Sequence, residues 1–358
     1  MSVHIGLVGA GNISGTHARA IGEIPGAAVS AVYAPNPGRA AALADAHGAR
    51  AYDSFDRFLD HRPMEIVVIG SPSGLHGEQG MAAARRGLHV LVEKPIDITA
   101  ARADALVGEA ARAGVTLGVI FQDHVKPDIV RLKSLIDGGA IGKPILASAR
   151  VKWYRPPEYY RDSRWRGTWA LDGGGALMNQ GVHTVDLLLW LAGPVRRVFG
   201  RAATQLHPIE VEDTVVAVLE LASGALATLE ATTSAYPGYA RRLELTGSNG
   251  TAILDGDSLT AVDLRVPLSH LVSDTSDTSD TSDTSDTSDT KPVNARPVNV
   301  SSPVVADVSA HRGVIEDFIR AVAEKRPPLV DGAAGRASVA VIEAIYRSSK
   351  LQVPVEME

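Results

Sequence analysis

The sequence predicts an α/β fold: an N-terminal Rossmann domain with a parallel sheet, followed by an α+β domain with a largely antiparallel open sheet. Short apolar runs alternate with Ala-rich amphipathic stretches over residues 1–121, and a glycine-rich turn directly follows the first run. In the second half, β-branched runs with a period of two are separated by turn signals such as Ser223-Gly224.

The first domain is expected to contain five strands, at residues 5–8, 29–33, 66–69, 89–92 and 116–121. Helices are expected between most of them, at residues 38–47, 76–86 and 99–113. Buried strands joined by amphipathic helices are typical of βαβ units and of a parallel sheet covered on both faces. We therefore predict a Rossmann domain that ends at residue 121.

The rest of the chain, residues 122–358, is expected to form the substrate-binding domain. Its predicted helices are residues 127–137, 172–192, 309–324 and 333–350. Its predicted strands are residues 214–221, 225–231, 241–246 and 251–254. Residues 273–290 are six copies of Ser-Asp-Thr, a polar acidic tract that cannot bury a core, so a mobile low-complexity loop is expected there.

Composition excludes several classes of protein. The 358 residues include 35 Lys and Arg and 41 Asp and Glu. The repeat holds six of the acids, and the remaining charges balance, so neither a nucleic-acid nor a membrane partner is expected. The chain has no cysteine, which excludes disulfides and thiolate metal sites. Without an export signal, a metal-ligand motif or an apolar stretch of about 20 residues, we expect a cytoplasmic protein without a metal.

The glycine-rich turn indicates a dinucleotide. Gly9 permits a tight turn after the first strand, and Gly11 lets the backbone approach a pyrophosphate at the positive end of a helix. Asn12 and Ile13 open that helix, and Ser14 occupies the position of the third glycine. The strand before and the helix after are the context that this motif requires, although a plain βα turn is the alternative.

The end of the second strand bears on the choice between NAD and NADP. An acid there would bind the ribose 2′-hydroxyl, whereas a basic group suits a 2′-phosphate. The segment contains Ala34, Asn36 and Arg39 and no acid. This favours NADP if Arg39 turns back towards the ribose, and Arg39 as a solvated helix-start residue is the alternative, so either cofactor stays open.

Two further strand ends carry polar groups. Ser71, Pro72 and His76 follow the strand at residues 66–69, and Glu93 and Lys94 follow the strand at residues 89–92. Ligands bind at the carboxyl edge of an open α/β sheet, so these residues are expected beside the cofactor. A lysine at that edge, adjacent to a proline, is unusual for a position that has only a structural role.

A catalytic group can be built from Lys94, Asn179 and His183. Oxidation of a secondary alcohol needs a base for the hydroxyl proton, and histidine is suited because its pKa lies near neutrality. Asn179 and His183 are four residues apart and share a helix face. Lys94 could stabilise a developing alkoxide. Asp186, three residues beyond His183, either orients the imidazole or forms a salt bridge within the helix.

An aromatic and cationic segment precedes this helix. Residues 152–169 hold three of the four tryptophans, together with Tyr154, Arg164 and Trp165. Aromatic faces stack on sugar rings, and arginine binds carboxylate or phosphate. The segment is expected to line the substrate mouth and slightly favours a sugar acid, sugar phosphate or nucleotide sugar. A subunit contact or a structural loop is the alternative.

Taken in order, these motifs resemble the glucose-fructose oxidoreductase / inositol dehydrogenase / rhizopine-catabolism (Gfo/Idh/MocA) family. The resemblance covers nearly the whole chain and rests on residues 9–15, 71–76, 93–95 and 173–186. It implies dehydrogenation of a sugar, sugar derivative or cyclitol, and a homodimer or homotetramer built on the open sheet. It also implies that Lys94 contacts substrate and cofactor ribose and that His183 is the catalytic histidine.

The sequence departs from the family pattern at two places. Asn179 stands where the sugar and inositol dehydrogenases of the family most often have aspartate. Gln122, which we expect near the nicotinamide, is followed by His124 and Val125 in place of the usual Arg and Phe, and His124 is expected on the surface or in packing. Two alternatives remain open: an NAD-dependent glycosidase that oxidises its substrate transiently, and a cofactor-bound sensor without turnover.

Overall fold

A computed structural model describes residues 2–266 and 307–357. The Ser-Asp-Thr repeat at residues 273–290 lies outside the described residues, so the expected mobile loop there remains a prediction. Within the described residues, no helix is both long enough and apolar enough to cross a membrane.

The N-terminal half forms a six-stranded parallel sheet with the strand order β3-β2-β1-β4-β5-β6. Its strands are β1 (Val3–Val8), β2 (Ala27–Tyr33), β3 (Arg50–Tyr52), β4 (Ile66–Ile69), β5 (His89–Glu93) and β6 (Leu117–Ile120). Its helices are α1 (Asn12–Gly22), α2 (Pro37–Ala46), α3 (Phe55–Leu59), α4 (His76–Arg85) and α5 (Ala100–Ala113). This is the predicted Rossmann fold, and the order reverses between β1 and β4, where such sheets bind dinucleotides.

The second sheet has eight strands in the order β13-β12-β11-β7-β10-β9-β8-β14. Its neighbours pair antiparallel except β7 and β10, so the predicted largely antiparallel sheet is confirmed. Its strands are β7 (Pro144–Lys152), β8 (Val195–Ala203), β9 (Thr214–Leu221), β10 (Leu226–Thr232), β11 (Arg242–Gly247), β12 (Gly250–Asp255), β13 (Ser258–Leu264) and β14 (Val355–Glu356).

Strands β3, β7, β8, β13 and β14 were not predicted from the sequence. β3 is only three residues long, and two of them are exposed, so it carries no apolar run. β8 begins with Val195 and then exposes two arginines, which hides its alternating pattern. β13 has no fully buried residue, because it lies at the edge of the sheet.

The described helices of the second half are α6 (Pro127–Asp137), α7 (Pro157–Arg161), α8 (Val182–Ala192), α9 (Ser309–Glu324) and α10 (Gly332–Leu351). A π-helix, Ala176–Gly181, runs directly into α8. Helices α8 and α10 pack on the sheet, but α9 packs beside α1, where Ile315 and Phe318 join the core of the parallel sheet. The domain boundary at residue 121 remains a prediction.

The outer face of the second sheet is apolar and exposed. Val216 and Val218 on β9 are 53% and 51% exposed, and Leu226 and Phe199 on the neighbouring strands are exposed as well. Alternate residues of the same strands are buried under α8 and α10. One face of this sheet is therefore covered and the other is available for contact.

Candidate active site

The carboxyl edge of the parallel sheet begins with the turn after β1. Gly9 has a φ of +104°, and a Cβ built there would lie 2.7 Å from the Gly70 carbonyl oxygen, so only glycine fits. Its amide donates to the Tyr33 carbonyl at 2.8 Å, which joins the ends of β1 and β2.

The N-terminus of α1 is open. Gly11 precedes the helix, and in the part of the chain that the structure describes no side chain caps it and a Cβ on Gly11 would meet nothing within 4 Å. Asn12 is exposed and Ile13 is half-buried. Free amides at a helix start, beside space that a side chain could fill, fit a pyrophosphate.

The end of β2 has mixed roles. Ala34 is buried, and the Asn36 side chain caps α2 by accepting a hydrogen bond from the Arg39 amide at 3.0 Å. The Arg39 side chain is exposed in the first turn of α2. Asn36 therefore has a structural role, whereas Arg39 lies at the surface near the carboxyl edge of the sheet, where the cofactor is expected.

His76 links two of the predicted cofactor segments. Its ring is buried, with Nδ1 2.8 Å from the Pro95 carbonyl oxygen and Nε2 2.9 Å from the Ser71 carbonyl oxygen. Ser71 and Pro72 are half-buried, and the Ser71 hydroxyl donates to Gln79 at 2.6 Å. His76 thus holds together the turns that follow β4 and β5.

Glu93 is anchored beneath the site. Its Oε1 lies 2.8 Å from Nε2 of His17 on α1, and its other oxygen accepts the Lys94 amide at 3.1 Å. Burial alone would raise the pKa of Glu93, but the hydrogen bond from His17 lowers it to about 2.

His311 on α9 completes a buried group with His17 and Glu93. Their ligand-capable atoms lie within 4.8 Å of one another, so the group could hold a metal. Sequence reasoning missed this group because its members lie far apart along the chain.

Lys94 and Asn179 are in direct contact. Lys94 follows β5, and its Nζ donates to the Asn179 backbone carbonyl at 2.8 Å. Burial lowers the pKa of Lys94. Asn179 lies on the π-helix rather than on α8, and its side-chain amide donates to Asp172.

His183 lies near this pair at the start of α8. Among the described residues, its Nδ1 has no hydrogen-bond partner; it lies 3.8 Å from Oδ2 of Asp123, and Phe121 packs edge-on against the ring. Burial and then the Lys94 charge lower the pKa of His183 to about 3, so the imidazole is neutral at physiological pH. Burial would raise the pKa of Asp123, but contact with Arg241 holds it below its ordinary range.

The hypothesis that Asp186 orients His183 is wrong. Oδ2 of Asp186 lies 2.6 Å from Nε2 of His124, and His124 stacks on Trp190 with ring centroids 3.9 Å apart. His124 is therefore a buried packing residue. The carboxylate beside His183 is instead that of Asp123, which lies on the same short helical turn after β6 as His124.

Asp172 is the second carboxylate at the site. It accepts hydrogen bonds from the Gly167 amide at 2.9 Å and from the Asn179 side chain. Burial raises its pKa to about 6, because these neutral donors and the more distant Lys94 only partly compensate for lost solvation. Two carboxylates near Lys94 and His183 thus have opposite pKa shifts.

The aromatic segment brings two guanidinium groups towards the site. Arg155 and Arg166 both lie over the ring of Tyr159, at 4.9 and 4.3 Å from the ring centroid. Arg155 also donates to Gln180 at 2.8 Å, next to Asn179. Both cations are near enough to Lys94 to lower its pKa.

The predicted substrate residues of this segment lie in different environments. Trp165 is half-buried beside Arg166, at 5.3 Å from ring centroid to guanidinium, and Tyr154 packs edge-on against Tyr236. Arg164 is exposed. Gln122 starts the short helical turn after β6, half-buried and next to Asp123.

Two family models match the chain, one in each half. Residues 3–121 match a family model described as an oxidoreductase family with an NAD-binding Rossmann fold. Residues 129–253 match the model of the GFO/IDH/MocA C-terminal domain.

Individual relatives agree. The chain is 31% identical to inositol 2-dehydrogenase 2 of Saccharopolyspora erythraea, over 71% of this chain and 74% of that one. It superimposes on the WlbA dehydrogenase of Bordetella pertussis, solved with NADH and UDP-GlcNAcA, with a TM-score of 0.85 and 30% identity over 100% and 99% of the two chains. A levoglucosan dehydrogenase complex, at 22% identity and a TM-score of 0.84 over the full length of both chains, shares the fold. The chain therefore belongs to the Gfo/Idh/MocA family of NAD-binding oxidoreductases.

Proposed function

We propose that this protein is an NAD(P)-dependent dehydrogenase that transfers hydride between a secondary alcohol of a sugar, sugar derivative or cyclitol and a nicotinamide cofactor. The observation that carries the proposal is the convergence of Lys94, Asn179 and His183 from β5, the π-helix and α8. The dehydrogenase names of the relatives support the same reaction type.

His183 moves the proton. Its neutral imidazole has a lone pair that can accept the hydroxyl proton when the alcohol is oxidised. The low pKa makes the resulting imidazolium a ready donor in the opposite direction. Asp123, already paired with Arg241, lies near enough to stabilise that imidazolium without itself taking the proton.

Lys94 and Asn179 act on the substrate oxygen. The Lys94 ammonium presents several N–H donors at the sheet edge, and one of them donates to the Asn179 carbonyl, which orients the ammonium. An ammonium in this partly buried place stabilises negative charge on the oxygen more strongly than it would in water. Asn179 has no proton to exchange, and Asp172 fixes its side-chain amide as a hydrogen-bonding group.

The cofactor edge fits a nicotinamide dinucleotide, which supplies the hydride acceptor or donor when bound. Gly9, Gly11 and the uncapped start of α1 would hold its pyrophosphate. Arg39 and the lack of an acid between residues 32 and 39 favour NADP, whereas a 30% identical relative was solved with NADH.

An anionic sugar derivative fits the substrate side best. Arg155 and Arg166 lie over the Tyr159 ring and near enough to Lys94 to lower its pKa, so this side of the site presents three cations, with Asp172 among the carboxylates near Lys94. Arginine pairs bind carboxylate or phosphate through charge-assisted hydrogen bonds. This assigns the anion to Arg155 and Arg166 rather than to the exposed Arg164, and UDP-GlcNAcA in WlbA is a ligand of that class.

The decisive experiment offers the purified protein NAD⁺ or NADP⁺ with myo-inositol, neutral sugars, sugar acids and UDP-GlcNAcA, and follows the absorbance of the reduced nicotinamide. We expect a rise with an anionic sugar and with one cofactor over the other. A rise with inositol alone would refute the anionic substrate. No rise with any substrate, despite retained cofactor, would refute net dehydrogenation and favour the glycosidase or the sensor.

We also propose a homo-oligomer in which a second copy covers the outer face of the eight-stranded sheet. Isolated monomers rarely leave so large an apolar sheet face in water, and Val216, Val218 and Leu226 all stand on it. Light scattering should give the mass of a dimer or tetramer, and a monomer at micromolar concentration would contradict this.

A further inference from the structure

A buried carboxylate supports the catalytic π-helix from behind. Glu212 is 3% exposed and precedes β9. Its two side-chain oxygens accept the amides of Gly175 and Leu177, each at 2.8 Å. Its backbone carbonyl accepts the Ala176 amide at 3.0 Å. Three consecutive amides at the start of the π-helix therefore end on one residue.

Tyr346 on α10 completes this support. Its hydroxyl donates to Oε1 of Glu212 at 2.8 Å. Both residues also line a cavity of about 780 Å³ that lies away from Lys94 and His183. Tyr346 is half-buried, so removal of its oxygen alone should weaken the support of the π-helix without disrupting the fold.

Gly175 lies so close to Glu212 that no residue larger than glycine fits at this position. A Cβ on Gly175 would lie 1.8 Å from the Glu212 carbonyl oxygen. The glycine run that precedes the catalytic helix is therefore needed for docking onto Glu212.

The support leads directly to the catalytic contact. The Asn179 amide donates to the Gly175 carbonyl at 3.0 Å, and the Asn179 carbonyl accepts Nζ of Lys94 at 2.8 Å. Only one peptide-to-peptide hydrogen bond lies between the segment held by Glu212 and the acceptor that orients Lys94. Movement of Gly175 would be passed on to Lys94 through this short path.

We propose that Glu212 and Tyr346 are positioning residues that hold the π-helix so that the Asn179 carbonyl directs Lys94. The inference rests on the proposed function for its effect on turnover, but the placement of Lys94 can be tested without any substrate. Neither Glu212 nor Tyr346 touches the reacting atoms in this arrangement.

The test compares Glu212→Gln and Tyr346→Phe with wild type by acetic anhydride labelling and mass spectrometry of each lysine. The pH is set about two units above the pKa of Glu212, which burial raises to about 7. The glutamine side chain has one acceptor oxygen where Glu212 has two. One of the two backbone amides that Glu212 binds therefore loses its acceptor, and the start of the π-helix should loosen. Loss of the Asn179 acceptor removes a hydrogen bond that favours the charged ammonium, so the labelling of Lys94 should rise severalfold relative to wild type.

Other lysines and a matched variant serve as controls. Lys126, in an ion pair with Asp123, and the exposed Lys143 should be labelled as in wild type. Glu210→Gln makes the same charge change two residues away, on an exposed side chain, and should leave Lys94 unchanged. Tyr346→Phe should give a smaller rise at Lys94 and keeps the test valid if Glu212→Gln does not fold.

Turnover gives the second measurement, on whichever sugar is oxidised fastest by wild type. Glu212→Gln should lower kcat about tenfold to a hundredfold, as expected for a displaced catalytic group, with cofactor affinity unchanged. Unchanged Lys94 labelling in both variants would overturn the proposal, and so would a uniform rise at all lysines, which would show general destabilisation. If no sugar turns over, the proposed function fails, and the labelling still decides the role of Glu212.

Discussion

The two sides of the site are built from different kinds of chemical group. On the cofactor side, the turn at Gly9 and the uncapped start of α1 present backbone amides and open space. On the substrate side, charged side chains such as Asp123, Asp172 and Arg155 surround Lys94 and His183. A backbone surface can be encoded in one short segment, whereas a balanced group of buried charges needs several segments brought together.

This difference has a functional consequence. Backbone amides bind a pyrophosphate whatever chemistry follows, so the cofactor side is generic. On the substrate side, Asp123 is held ionised by Arg241, while burial raises the pKa of Asp172 to about 6. Substrate choice and pH dependence should therefore be set on the substrate side.

Loss of the catalytic groups should have the largest effect. Lys94→Ala and His183→Ala should each lower kcat by about 10²–10⁴, the usual contribution of a positioned acid–base group. Cofactor affinity, measured by calorimetric titration, should change little because the pyrophosphate contacts remain. Lys143→Ala, an exposed lysine, is the control and should keep wild-type turnover. Near-normal turnover in either catalytic variant would remove that residue from the mechanism.

A substitution on the cofactor side should separate binding from folding. Gly11→Ala places a methyl group where the protein has no atom within 4 Å, so the free energy of unfolding should change by less than about 1 kcal/mol. The dissociation constant of the cofactor should rise about tenfold to a hundredfold, because the methyl group intrudes on the pyrophosphate.

The control for this variant is Gly22→Ala at the far end of α1, where a Cβ also meets nothing. It should leave cofactor affinity unchanged. Equal affinity in wild type and Gly11→Ala would show that the dinucleotide does not approach this turn.

The smallest expected effect is a change in pH dependence. Since the pKa of Asp172 is about 6, kcat/KM should fall as the pH drops through 6, when protonation disturbs the hydrogen bond to Asn179. Asp172→Asn should flatten this acid limb. An unchanged limb in the variant would assign it to another group.

Stability should respond with the opposite sign. The pKa of Asp172 is raised from 3.8 in the unfolded chain, so the folded protein binds the proton more tightly. The free energy of unfolding should therefore decrease as the pH rises from about 4 to about 6, by at most about 3 kcal/mol. The difference between wild type and Asp172→Asn in urea denaturation isolates this contribution from that of Glu212. A difference that does not vary with pH would contradict the raised pKa.

The sequence alone determined the fold class, the family and the position of the cofactor edge. These follow from local patterns: apolar runs that alternate with amphipathic helices, the turn at Gly9, and a lysine directly after β5. The helix Ser309–Glu324 was predicted to the residue because its apolar spacing is strong.

Tertiary structure decided which charged groups meet. Asp123 faces His183 because β6 ends beside α8, and Asp186, closer in sequence, is turned towards His124. Glu212 reaches the π-helix from the start of β9, more than thirty residues away. No periodicity records such contacts, since the energy of a buried charge depends on its neighbours in space rather than on those along the chain.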